Sequence, residues 1–441
     1  MNELALNFGQ AVIKGKTIKA NIGINKGKIS EISQKKIHAK KELDCSGKLI
    51  LSGAIDLHVH FRTPGAMQKE DWITGSMSAI AGGITTVFDM PNNNPSMDSM
   101  QNLRKKQKLI EGKSFVNYGL FLAATNSNLN ELKKNKKYPL KYYLGETTGG
   151  ILIDSFKAIE KGFSIAGKKK IPCFIHGESN KVIEENRKNF SGKLTAMHHS
   201  KIRSIGAELE SIEFALKIWK KTKNRIHFTH VSSPQAVELI EEEKSRNSIA
   251  KKLVSFDAAP HHLFLNNSML EKLKNFGKMN PPLRNKAQQK KMLEFLHEGI
   301  INFVFSDHAP HLKEEKEQEY EMAPSGVPGV QTLFPLLLNE AINARLSFEK
   351  LNEITSMNPA KLMGLRKKGI INKGFDADLI IVNLFKETKI QDNAMHYKCK
   401  WTPFNGMKLK GKIEATIVNG KIAFDKKEFF EPEGKFLEIN K

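Results

Sequence analysis

Cysteine is nearly missing from this chain: Cys45, Cys173 and Cys399 are the only three among 441 residues. They are odd in number and far apart, which excludes a disulfide framework and any cysteine-based zinc motif. No apolar run approaches the roughly 20 residues that a bilayer-spanning helix needs. The first residues, Met1-Asn-Glu-Leu, hold neither a basic stretch nor an apolar leader core, so a cytoplasmic location is expected. No glycine-rich dinucleotide fingerprint follows any strand-like run, and zinc-finger, RNA-binding and helix-turn-helix signatures are lacking. Acidic residues are scarce relative to basic ones, 47 against 70, for a net charge of +23. The basic excess lies in segments that read as surface helices and loops, such as Arg104-Lys105-Lys106 and Lys168-Lys169-Lys170. It reads as a solvated face that also attracts anionic substrates. Neither nucleic acid nor membrane is expected as a partner; a small molecule is.

What is present is an ordinary globular composition, 40% hydrophobic and 27% charged, in a chain long enough for one large barrel and a smaller unit. The most informative stretch is Gly53-Ala-Ile-Asp-Leu-His-Val-His-Phe-Arg62. Ile55, Leu57, Val59 and Phe61 alternate with Asp56, His58, His60 and Arg62, a period of two that predicts a strand. Successive side chains on a strand point to opposite faces, so His58 and His60 sit side by side. Burying two imidazoles between a carboxylate and a guanidinium is costly without partners, and a metal ion is such a partner. Thr63-Pro64-Gly65 then signals a loop.

Both chain ends read as short β-segments with turns, among them Lys48-Leu-Ile-Leu51, Ala377–Val382 and the Asn419-Gly420 hairpin signal. They are expected to pair into one composite β-sandwich, residues 1–52 with 369–441, leaving 53–368 as the other unit. That middle alternates strand-like runs with amphipathic helical stretches such as 205–221, 234–245 and 286–299. Eight runs can be counted: 55–61, 84–90, 115–123, 140–144, 171–176, 226–230, 253–258 and 301–306. The fold class is therefore α/β, a TIM-like (β/α)8 barrel with a small β-sandwich, a doubly wound open sheet being the alternative. Polar residues gather at the C-terminal ends of the runs: His58, His60 and Arg62, Asn92, Glu146-Thr147-Thr148, His176, His230, His261-His262 and Asp307. Barrel enzymes carry their chemistry at that face. His58, His60, His176, His230 and Asp307, without thiolates, suit Zn²⁺ or another divalent transition metal. They exceed what one open metal site needs, which suggests two metals about 3.5–4 Å apart. His198 and His199 lie in a polar loop and read as surface residues. His227 points away from the face of residue 230 and is left out. Asp56 has no assigned role beyond support of the strand.

These motifs resemble the amidohydrolase superfamily and, within it, the dihydroorotases of the type found in the animal multifunctional pyrimidine enzyme and in many bacteria. The resemblance rests on His58-Val-His-Phe-Arg62-Thr-Pro-Gly, Gly82–Asn92, Lys141-Tyr-Tyr-Leu-Gly-Glu-Thr-Thr148, Ala259-Pro-His-His-Leu-Phe264 and Ser306-Asp-His-Ala-Pro-His311. Gly326-Val-Pro-Gly-Val-Gln-Thr-Leu and Trp401-Thr-Pro-Phe-Asn-Gly406 extend it over nearly the whole chain. It implies two Zn²⁺ ions, the first held by His58, His60 and Asp307 and the second by His176 and His230. Lys141 would be carboxylated on its amine and bridge both. Arg62, Asn92 and His311 would grip the substrate's α-carboxylate, with Asn280 and His262 as weaker contacts and Thr147 and Thr148 in a loop over the substrate. The implied reaction is the reversible cyclisation of N-carbamoyl-L-aspartate to L-dihydroorotate and water, in pyrimidine synthesis. A hydroxide between the metals would be the nucleophile and Asp307 the general base, then acid. An allantoinase or hydantoinase is the nearest alternative, and a non-catalytic scaffold a more distant one. The resemblance leaves open a homodimer and an association with aspartate transcarbamoylase.

Overall fold

The computed structural model describes residues 1–146 and 150–440. Strands from the two chain ends form one nine-stranded sheet. Glu428–Phe429, Lys421–Asp425, Lys408–Val418, Leu379–Lys389, Lys48–Ser52, Asn2–Ile13, Lys16–Asn25 and Lys28–Ser33 follow one another across it, and Ala39–Asp44 pairs alongside Asn2–Ile13. The two ends meet where Leu379 to Asn383 run antiparallel to Ser52 to Lys48. Alternation sorts the side chains of these strands. Ile50, Leu379, Ile381, Ala415 and Ile417 enter the core enclosed by the sheet, whereas Leu49, Leu51, Ile380 and Val382 join the main core of the barrel. In Asn2–Ile13 the inward set changes from Leu4 and Leu6 to Ala11 and Ile13. A register shift between Leu6 and Gly9 changes the parity, with Phe8 left-handed at φ 67°, as a bulge requires. The Asn419-Gly420 turn has both residues at positive φ, 50° and 81°, the geometry of a tight hairpin.

The barrel strands are parallel and buried. Ala54–Val59, Ile84–Asp89 and Asn117–Leu120 pair in one group; Leu122–Ala123, Leu140–Tyr143, Cys173–His176, Ile226–Phe228 and Val254–Phe256 form the other. The expected third run is thus two short strands broken at Phe121. The expected eighth run, 301–306, is not a continuous strand. It closes the ring through single bridges, Val304 to Ala258 and His308 to Val59. Here side chains replace the ladder: Ser306 donates its N–H to the Asp56 carboxylate (3.1 Å), and Asp307 turns left-handed at φ 45°.

The predicted helices form as Ile205–Thr222, Pro234–Arg246 and Lys286–His297. Ser233 caps the second of these ahead of Pro234, and Asn285 caps the third in a capping box with Gln288. Both devices satisfy N–H groups that a helix leaves unpaired. Among the described residues, no helix is long and apolar enough to cross a membrane.

Leu51 is fully buried where the sheet packs on the barrel. Leu51→Ala should therefore cost about 2–5 kcal/mol, read as a lower denaturant midpoint at unchanged slope. A loss under about 1 kcal/mol, the level of an ordinary surface change, would show that the two units do not share a core there.

Candidate active site

The Ala54–Val59 strand carries His58 and, one residue beyond its end, His60. Their ring centroids lie 5.3 Å apart. Asp307 arrives from the closing segment, its Oδ1 3.2 Å from His58 Nε2 and 3.4 Å from His60 Nε2. The ligand atoms of these three residues all fall within 4.8 Å of one another. Asp56 sits behind the group; its Oδ1 accepts from the N–H of His58 and of Ser306, both at 3.1 Å. It ties the first strand to the segment that delivers Asp307.

Two further imidazoles adjoin this group. His176 ends the strand Cys173–His176, and His230 follows Ile226–Phe228 in a left-handed conformation, φ 42°. His176 Nδ1 faces His230 Nε2 at 3.0 Å, and the His230 ring is 5.2 Å from that of His58. His176 donates from Nε2 to Glu178 (3.1 Å), which leaves Nδ1 unprotonated and turned toward His230. Glu178 is in turn gripped by Arg203, whose Nε lies 3.1 and 3.0 Å from the two carboxylate oxygens. The His230 N–H donates to Asp257 Oδ1 (3.0 Å). Lys141, on the strand Leu140–Tyr143, is wholly buried and donates to Thr229 Oγ1 (3.0 Å).

The donors fit a divalent metal site. Burial first, then neighbouring positive charge, pushes the imidazoles of His58 and His230 well down. Burial likewise lowers His60. Neutral imidazole is the form that ligates. Nδ1 of His58 and of His230 are buried without a hydrogen-bond partner. Burial also raises the Asp307 carboxyl and lowers the Lys141 amine, each opposed by the other's charge. Such crowding is unfavourable as it stands and is relieved by cations that take the lone pairs of histidines and carboxylates. His58, His60 and Asp307 form one such set, and His176 and His230 are poised beside it.

The site opens toward Arg62, whose backbone is left-handed at φ 53°. His60, Arg62 and Asp307 each keep 7% exposure against 2% for His58, His176 and His230, so the former face the opening. Arg62 Nε donates to the Pro310 carbonyl (3.3 Å), and an Arg62 terminal nitrogen lies 3.3 Å from His311 Nε2. Asn92 Oδ1 accepts from His60 Nδ1 at 2.6 Å. The inner cavity is lined by the four histidines, Arg62, Asn92, Asn280 and Asp307 among others. Arg62 and Asn92, with His311, also line an outer cavity of about 730 Å³. Asn280 Oδ1 accepts from His199 Nε2 (2.9 Å), and His262 Nε2 donates to the neighbouring Pro281 carbonyl (2.9 Å). His262 thus braces the Asn280 loop. Thr147 and Thr148 lie outside the described residues.

Several readings change. His199 is not a surface residue: it is buried, its Nδ1 2.7 Å from the Tyr320 hydroxyl and its ring against Asn280. Lys106, read as solvated, is fully buried. His227, left out of the candidate ligands, has its Nε2 2.9 Å from Asp257 Oδ2 and so braces the residue that holds His230. Sequence reasoning does not find Glu178, Arg203, Asp257 or Thr229. Only Glu178 had a signal, its place two residues after His176 on the same strand line.

Comparison with known proteins gives a consistent picture. Residues 49–423 match the family model described as the amidohydrolase family. A protein of Methanosarcina acetivorans named dihydroorotase is 38% identical over 88% of this chain and 85% of its own length. One of Methanosarcina mazei with the same name is 36% identical over 95% and 94%. Among solved structures, an L-hydantoinase (dihydropyrimidinase) from Arthrobacter aurescens superposes with a TM-score of 0.94 at 27% identity, covering 99% of this chain and 100% of its own.

Partners that orient a ligating histidine typically govern 10- to 100-fold of metal affinity. Glu178→Gln is therefore expected to weaken metal retention by about 10- to 100-fold in chelator competition. Unchanged retention would remove Glu178 from the support of the site.

Proposed function

The chain belongs to the amidohydrolase family, among its dihydroorotases, and from that premise we propose that it interconverts N-carbamoyl-L-aspartate and L-dihydroorotate. The observation that carries this reading is the Arg62 guanidinium beside His311 and Asn92, on the rim of the cluster formed by His58, His60 and Asp307. A planar guanidinium matches a carboxylate in a way few groups can. A neutral cyclic amide would leave it buried without an anion, an expensive arrangement. The backbone likeness to a hydantoinase spans 99% of the chain and concerns the shared fold, and Arg62 selects among substrates within it.

His58, His60 and Asp307 would hold one zinc ion and His176 and His230 a second, with Lys141, carboxylated on Nζ, between them. When bound, the ions supply a water acidified toward neutral pH and Lewis acidity at a carbonyl. A carbamate suits position 141, because an ammonium would be repelled by two cations whereas an anionic oxygen ligand is attracted.

The remaining work falls to the chain. Arg62, Asn92 and His311 fix the α-carboxylate and so set the ring amide over the histidine cluster. Proximity of this kind lowers the barrier by removing rotational freedom in advance. In hydrolysis the carbonyl carbon gains an oxygen and the ring C–N bond breaks. Asp307, its Oδ1 at the centre of the cluster, takes the proton of the attacking oxygen and delivers it to the departing nitrogen. In ring closure the same carboxyl starts protonated, the side-chain carboxylate of carbamoyl aspartate is the electrophile, and water leaves.

Turnover of dihydroorotate, allantoin and a hydantoin by one preparation tests the assignment; hydrolysis of the hydantoin with dihydroorotate untouched would overturn it. Arg62→Met should lower kcat/KM for both dihydroorotate and carbamoyl aspartate by about 10- to 100-fold, the equivalent of a charged hydrogen bond or two, with metal content intact. Metal loss would make Arg62 structural instead. Asp307→Asn should reduce turnover in both directions by about 10²–10⁴-fold, the usual worth of a positioned acid–base group. Near-normal rates would exclude Asp307 from proton transfer.

A further inference from the structure

Lys106 lies on the helix Met100–Ile110, outside the strand ends that carry the metal and carboxylate-binding residues. Its side chain is completely shielded from solvent. Its ammonium donates to the Asp89 carboxylate and, at 2.6 Å, to Asn93 Oδ1, and it stands 5.8 Å from the centre of the Trp72 ring. A buried ion pair adds little net stability compared with apolar packing, so stability alone does not account for it. What the two partners hold is more telling. Asp89 Oδ1 accepts from the N–H of Phe61 (2.6 Å), and Asn93 Nδ2 donates to the carbonyls of Thr63 (3.1 Å) and Pro64 (3.4 Å). Phe61 and Thr63 are the chain neighbours of Arg62, so the backbone is held at the N–H of the residue before Arg62 and at the carbonyl of the residue after it. Trp72 packs edge-on against the Phe61 ring at 5.2 Å.

Arg62 needs such a clamp. A non-glycine residue at φ 53° sits in a sparsely populated region and persists only where its surroundings impose it. Here the left-handed turn is what swings the guanidinium from the strand line toward His311. A lysine meets the requirement because one ammonium on a long stem serves a carboxylate from one strand end and an amide oxygen from the loop beyond. We propose that Lys106, through Asp89 and Asn93, is a positioning residue for carboxylate recognition: it fixes the turn that aims Arg62. This rests on the reading of Arg62 as the carboxylate clamp.

The test is a double-mutant comparison on the full-length metal-loaded protein. KM and kcat for dihydroorotate are measured together with the dissociation constant of orotate, a carboxylated ring used as probe. Lys106→Met should raise KM and the orotate constant at least about tenfold, with kcat within about threefold and metal content unchanged. In an Arg62→Met background it should add less than about twofold, because coupled residues are not additive. Asn93→Ala removes one arm of the clamp without stranding a charge and should show a smaller effect with the same coupling; it carries the test if Lys106→Met does not fold. Full effects in the Arg62→Met background, unchanged KM and orotate binding, or loss of metal would each overturn the proposal. Failure of the functional reading looks different: wild-type protein would leave dihydroorotate unhydrolysed, while orotate binding would still report on the Lys106–Arg62 coupling.

Discussion

Everything at the mouth of this barrel depends on crowding polar groups that are largely shielded from water. Four imidazoles, an amine and a carboxylate share one small volume, with the His176 and His230 nitrogens 3.0 Å apart and Asp307 between His58 and His60. Protein partners satisfy the outward atoms of two of these rings, Glu178 for His176 and Asn92 for His60, while Nδ1 of His58 and of His230 has none. The inward atoms are left converging. Groups buried in this way are stable only when something takes up their lone pairs, and divalent cations do so while turning the cost into reactivity.

The fold achieves the convergence by leaving regular strand geometry at its strand ends. Arg62, His230 and Asp307 all have left-handed backbone, φ 53°, 42° and 45°, and each sits where a strand or closing segment gives way to a loop. A regular strand would keep sending alternate side chains to opposite faces; a single left-handed residue redirects one toward the shared centre. Buried carboxylates hold the local backbone: Asp89 at Phe61, Asp257 at His230, and Asp56 at Ser306. These three acids thus hold main-chain N–H groups, whereas Asp307 turns its Oδ1 toward His58 and His60.

Much of this was legible from residue order. The period of two from Ile55 to Arg62 placed His58 and His60 together, and amphipathic spacing located the long helices. The β-segments at both ends pointed to one composite sheet. What was hidden depends on contacts distant in sequence. The segment 301–306 looks like a strand, yet its N–H at Ser306 goes to a side chain. His199 sits in a polar stretch and is buried only because Tyr320 and Asn280 fold over it. Lys106 lies in a run of cations that suggests solvent, although its spacing from Leu103 and Ile110 puts it on the helix's buried face. Charge outweighed periodicity in that reading, and periodicity was the better guide.

As a proposed two-metal centre, the histidine cluster must be occupied for dihydroorotate to be hydrolysed. The most direct measurement is a titration of metal-stripped protein with Zn²⁺, following bound metal and dihydroorotate turnover in the same samples. Turnover should be absent at the start and rise to a plateau as two ions bind per chain. Full turnover by metal-free protein, or two bound ions per chain with dihydroorotate left intact, would contradict this expectation.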